Sequence, residues 1–142
     1  MALQYKEEGN MFYKQKEFQK AISKYARVQC FTKSIMPSEN FEVTAFQNLS
    51  KKTKNKIVEG EELEKCKDLV ASTLLNMSIC FYQLQKYQKC IDKATESLAI
   101  KPSIKAYYRR AQALAQRKDY EAAIEDLEKA VKLDVSDPND IQ

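Results

Sequence analysis

Three stretches of the 142-residue sequence share one layout: a helix-forming segment with small and aromatic residues at fixed offsets, a short turn, and a second helical segment centred on Ala or another small residue. In the first, about 3–33, Tyr5, Gly9 and Phe12 precede the turn Lys16-Glu17-Phe18, and Ala21, Tyr25 and Val28 follow it. In the second, about 69–102, Leu74, Ser78 and Phe81 precede Gln85-Lys86-Tyr87; Cys90, Ala94 and Ser97 follow, and Pro102 closes the unit. In the third, about 103–134, Tyr107, Ala111 and Leu114 precede Lys118-Asp119-Tyr120, and Ala123, Leu127 and Ala130 follow. Units of this size cannot bury an apolar face alone, so recurrence in register predicts stacked helix pairs sharing a continuous core. An aromatic opening each second helix is expected to plug the gap between paired helices, where small residues allow close approach.

Composition agrees with an all-α fold. Two glycines and three prolines leave little turn chemistry for a sheet, and the apolar residues recur at helical rather than alternating spacing. The length suits one domain. About one repeat length separates the first two units, roughly 34–67. Its first part, Ser34 to Gly60, reads as a mobile loop containing the run Lys51 to Lys56. From Glu61 the pattern is helical again and is expected to continue unbroken into the second unit, making that helix several turns longer than its counterparts. Only 135–142 follow the third unit, too little to cover its last apolar face, which predicts either a longer parent protein or self-association through that end.

Several functions find no support in the residues. With no His and no Cys-x-x-Cys pair among Cys30, Cys66, Cys80 and Cys90, there is no metal-site spacing, and no cofactor is expected. The thiols read as reduced, mostly buried groups of a cytoplasmic protein. General acid–base chemistry most often uses His, and no Gly-rich phosphate loop is present, so catalysis within this chain is not expected. The net charge of +4, from 24 basic and 20 acidic residues, tilts the partner towards acidic without the concentrated field of a nucleic-acid binder. No apolar run reaches the about 20 residues that span a bilayer.

One polar constellation stands out. Lys6 and Asn10 lie one turn apart on the first helix of the first unit; Lys105 and Arg109 repeat that spacing in the third; Asn76 lies between them in the second. First helices of successive units line the inner surface of such a stack, so all five side chains are expected to face one groove. Lysine and arginine at this spacing commonly occupy a solvated face. Mid-helix asparagine is harder to explain that way, because it competes for backbone hydrogen bonds. Cations with amide donors suit a peptide ending in carboxylates. Tyr13, one turn beyond Asn10, is expected to wall the groove, and Gln83 and Gln112 to tune its selectivity.

The three units resemble the tetratricopeptide-repeat (TPR) consensus, a helix-turn-helix repeat of about 34 residues. That resemblance implies an α-solenoid of three repeats in a right-handed superhelix, interrupted after the first. The segments Lys6-Glu7-Glu8-Gly9-Asn10, Leu75-Asn76 and Lys105-Ala106-Tyr107-Tyr108-Arg109-Arg110-Ala111 look like those of TPR co-chaperones, particularly large immunophilins, the FK506-binding and cyclophilin-type proteins. For Lys6, Asn10, Asn76, Lys105 and Arg109 the resemblance implies a dicarboxylate clamp holding the Glu-Glu-Val-Asp C-terminus of heat-shock protein 90 or heat-shock protein 70. It also makes a prolyl isomerase domain a plausible neighbour in a longer protein. Two other readings follow from the residues alone: a structural scaffold docking a folded partner or its own copy, and nucleic-acid binding through Lys51 to Lys56.

Overall fold

The computed structural model describes residues 2–33 and 60–136. They form six helices: α1 (Ala2–Lys14), α2 (Phe18–Lys33), α3 (Glu61–Gln83), α4 (Tyr87–Ile100), α5 (Ile104–Gln116) and α6 (Tyr120–Ser136). Each helix packs on its successor, with α3 following α2 in the stack, and α3 also touches α5. There are no strands among the described residues, and none of their helices is long and apolar enough to cross a membrane. The expected helix from Glu61 is present as the 23-residue α3, against 13 residues in α1 and in α5. The loop expected over Ser34 to Gly60, including Lys51 to Lys56, lies outside the described residues except for Gly60.

Within each pair the turn has one construction. Lys16, Gln85 and Lys118 adopt left-handed φ values of 61°, 61° and 65°. The N–H of each of these residues bonds the carbonyl three positions back, and the next N–H reaches five back: Glu17 to Phe12, Lys86 to Phe81 and Asp119 to Leu114, each at 2.9 Å. These paired bonds satisfy carbonyls that a helix end leaves open. Glycine is the usual residue at such a position, since a Cβ makes the left-handed region costly. Here a lysine, a glutamine and a lysine occupy it. Between pairs, Pro102 restricts Lys101 to extended backbone (φ −151°) and ends α4, and the Ser103 side chain caps α5 by accepting from the Ala106 N–H at 3.1 Å.

The core runs through the pair interfaces, with Ala21, Tyr25, Met77, Cys80, Phe81, Cys90 and Ala113 in one buried cluster. Small residues set the helix spacing. Gly9 is buried, and a Cβ built on it would stand 2.5 Å from Cε1 of Tyr25, a ring only 1% exposed. Ser97 Oγ donates to the Ala71 carbonyl at 2.8 Å, fastening α4 to α3. Arg110 joins α5 to α6 through two bonds to the Asp126 carboxylate, at 2.7 and 2.6 Å, and Asp126 is 3% exposed. That pairing holds the Arg110 guanidinium above its ordinary pKa.

Three sequence expectations need correction. Tyr120 is 59% exposed rather than packed in the core. In the first two pairs the aromatic opening the second helix meets a tyrosine edge-on, Tyr13 with Phe18 and Tyr82 with Tyr87. Counting back from the turn, the third pair has Ala115 at that level, so Tyr120 has no ring to meet. Leu127, expected in the core, is 42% exposed along with Ile124, Val131 and Val135, because no described helix packs on the outer face of α6. The thiols divide evenly: Cys80 and Cys90 are buried, and burial pushes them to about 12 and about 11, whereas Cys30 is exposed and Cys66 is half-buried.

Replacing Gln85 by Gly is expected to stabilise the fold by about 0.5–1 kcal/mol and raise the melting temperature by a few degrees, as followed by circular dichroism. Gly9→Ala is expected to lower stability by about 1–3 kcal/mol in urea denaturation, because the new methyl must displace the Tyr25 ring.

Candidate functional site

A groove of about 860 Å³ runs between α1 and α5 over the exposed side of α3. Lys6, Asn10, Tyr13 and Lys14 line it from α1, Lys105, Tyr108 and Arg109 from α5, and Asp68, Ala71, Ser72, Leu75, Asn76 and Ile79 from α3. The five polar residues singled out from the sequence are therefore gathered on one surface, with Tyr13 beside them. Gln83 and Gln112 are not among the lining residues. Gln83 is exposed at the end of α3; Gln112 turns back onto its own helix.

Hydrogen bonds fix the levels of the groove. Lys6 Nζ donates to Ser72 Oγ at 2.9 Å, and Asn76 Nδ2 donates to Asn10 Oδ1 at 3.5 Å, a long contact. Each bond joins residues equally far apart in sequence, so α1 and α3 advance side by side in the same direction, turn for turn. Lys6 with Ser72 forms one level, Asn10 with Asn76 the next, and Tyr13 with Ile79 the one after, at intervals of about 5–6 Å. Counting from the three turns instead puts Asn76 level with Arg109, and Asn10 level with Ile79 and Gln112. The two asparagines are thus not equivalent positions of their repeats; they meet because neighbouring first helices are offset by nearly a turn.

The donors are oriented before any ligand arrives. The Tyr25 hydroxyl donates to Asn10 Oδ1. Burial holds that phenol well above its ordinary pKa, so it remains a donor across the physiological range. With the amide oxygen accepting from Tyr25 and Asn76, the Asn10 amide N–H groups make no bond among those described and remain available. Arg109 donates from Nη1 to Gln112 Oε1 at 3.1 Å and lies 6.0 Å from the centre of the Tyr108 ring. Gln112 Nε2 in turn donates to the Tyr108 hydroxyl at 3.2 Å, leaving the outer guanidinium edge open. Lys6, Asn10, Asn76 and Arg109 are half-buried; Lys105 is exposed.

Five cations and a single carboxylate, Asp68, line the groove. Only Lys101 among those cations has a described ion pair, with Asp68 at 2.7 Å. Hydrogen bonding to Asp68 raises the Lys101 pKa, so it stays charged. Lys14, Asp68, Lys101, Tyr108 and the orienting hydroxyl of Tyr25 were not singled out by sequence reasoning. Lys14 carried a signal, one turn beyond Asn10. Lys101 precedes Pro102 and so falls outside the helical register, and Asp68 sits at the seam between the extra segment and the second unit.

Comparison with known proteins gives the same architecture. The family described as tetratricopeptide repeat matches residues 104–137. Aryl-hydrocarbon-interacting protein-like 1 of Mus musculus and of Rattus norvegicus are each 31% identical over 130 residues, covering 91% of this chain and 34% of the relative. The chain thus spans about a third of the length of these relatives. FK506-binding protein 5 of Rhizopus delemar is 37% identical over 67 residues, 46% of this chain and 17% of that protein. Among solved structures, the C-terminal TPR-containing domain of a Plasmodium falciparum FK506-binding protein superposes with a TM-score of 0.69 at 29% identity, covering 97% of this chain and 80% of that one. Six helices in three pairs, a matching repeat in the last pair and this shared architecture give the chain the all-helical fold of a tetratricopeptide-repeat domain.

Proposed function

We propose that the groove is a dicarboxylate clamp for the acidic Glu-Glu-Val-Asp C-terminus of heat-shock protein 90 or heat-shock protein 70. In this reading the chain is the non-catalytic adaptor module of a cytoplasmic co-chaperone. The observation that carries it is the convergence of Lys6, Asn10, Asn76, Lys105 and Arg109 on one groove containing a single carboxylate. Lys6, Asn10 and Asn76 would hold one carboxylate from the α1 side, and Lys105 and Arg109 the other from α5. Tyr13 and Ile79, one level further on, would receive the valine or an upstream side chain. Charge-assisted bonds contribute about 1.5–3 kcal/mol each, so three or four of them, less the ordering of a flexible tail, support roughly micromolar affinity. Relatives named for FK506 binding favour a prolyl isomerase domain elsewhere in the full-length protein.

Titration calorimetry with a Glu-Glu-Val-Asp peptide tests the clamp. Lys105→Ala or Arg109→Ala is expected to remove measurable binding while helicity by circular dichroism persists, and amidating the terminal carboxylate should do the same. Equal affinity for the free-acid and amidated peptides would rule the clamp out.

A second reading, self-association through α6, is favoured by the exposed stripe Tyr120, Ile124, Leu127, Val131 and Val135. Glu128 and Lys132 edge a shallow groove there, lined also by Ile124, Leu127 and Val131. Two copies related by a two-fold axis beside these residues would set each glutamate against the other copy's lysine. Sedimentation velocity is then expected to show a dimer that Val131→Glu dissociates and Lys105→Glu leaves intact; a monomer at all concentrations sinks this reading.

A further inference from the structure

We infer that Asp68 is a built-in competitor for the groove, withholding Lys101 from an incoming anion and so setting how strongly the site holds an acidic chain end. This inference rests on the clamp reading and adds a selectivity residue to it. Asp68 and Lys101 both line the groove, and their ion pair, at 2.7 Å, is the one described contact in which a groove cation is neutralised by a groove carboxylate. The pair sits one turn from the level of Lys6 and Ser72, towards the start of α3. A ligand carboxylate held by Lys6 beside Ser72 therefore lies one turn from the pair, where Lys101 is already met by Asp68.

Two features show how the fold puts Asp68 in that place. Counting back from the turns, the first residue of α5, Ile104, is level with Ala71, so Asp68 belongs to the part of α3 that α5 has no counterpart for. The long helix thus delivers a carboxylate to the mouth of the groove. Lys101 is held on the other side by its extended backbone before Pro102 and by its N–H bond to the Ser97 carbonyl at 2.9 Å. Both side chains are at least half exposed, at 59% and 50%, so water screens the pair and a ligand can exchange with it. The fixed negative charge then weakens every acidic ligand, most of all one with a carboxylate at this level.

Calorimetric titration of the 142-residue chain with the free-acid Glu-Glu-Val-Asp peptide, at two or more salt concentrations, tests the assignment. Asp68→Asn is expected to tighten binding about two- to fivefold and to steepen its salt dependence, because Lys101 becomes free to pair with the ligand. Lys101→Gln should weaken binding by leaving Asp68 bare, and the double variant should return close to the wild-type value. The exposed position of both residues makes these substitutions compatible with folding, and circular dichroism verifies it. Wild-type binding with an unchanged or weakened Asp68→Asn variant overturns this inference alone. Absence of binding by the wild type overturns the clamp reading together with it.

Discussion

The contact between Tyr25 and the Gly9–Asn10 turn of α1 underlies both the packing and the groove. One side chain does two jobs: its ring fills the space that a missing Cβ leaves at Gly9, and its hydroxyl orients the Asn10 amide. Because the ring is buried in the same cluster as Cys80 and Ala113, the groove amide is tied directly to the shared core. Positioning of this kind removes the need to order a surface side chain when a ligand arrives, which is where much affinity is otherwise lost.

The remaining groove residues follow the same logic with different supports. Lys6 leans on Ser72, whose hydroxyl is itself fixed by donating to the Leu69 carbonyl at 3.1 Å. Arg109 is steadied by Gln112 and Tyr108 without spending its charge on a carboxylate. Next to it in sequence, Arg110 has the opposite fate: its charge is consumed by the buried Asp126 and serves the helix pairing. Adjacent arginines on one helix thus divide into a solvent-facing cation and a structural one, decided only by which side of α5 each occupies.

Much of this was legible in the sequence because helix-pair repeats encode their contacts locally. The turns, the small residues at Gly9, Ala21, Cys90, Ala94, Ala111 and Ala123, and the one-turn spacing of Lys6 with Asn10 and of Lys105 with Arg109 follow from spacing within a unit, whereas the meeting of Asn10 with Asn76 depends on the offset between units. What could not be read depends on relations between units or on missing neighbours. Tyr120 and Leu127 look like core residues by pattern, yet one lacks a facing ring and the other a covering helix. Gln112 shares the periodicity of the groove but is captured by Arg109. The Asp68–Lys101 pair joins a position just before the second unit to one in that unit's closing turn, outside the helical register, so no periodic pattern points to either.

The left-handed turns have a further consequence. A non-glycine residue there costs about 1–2 kcal/mol, and three of them recur in a fold whose total margin is expected to be about 5–15 kcal/mol. An occupant present at about a hundred times its dissociation constant would add about 2.7 kcal/mol to the folded state, an amount of the same order as that combined strain. A partner seated between the helices would then also act as a thermal brace, and the working stability of the module would rise and fall with its occupancy.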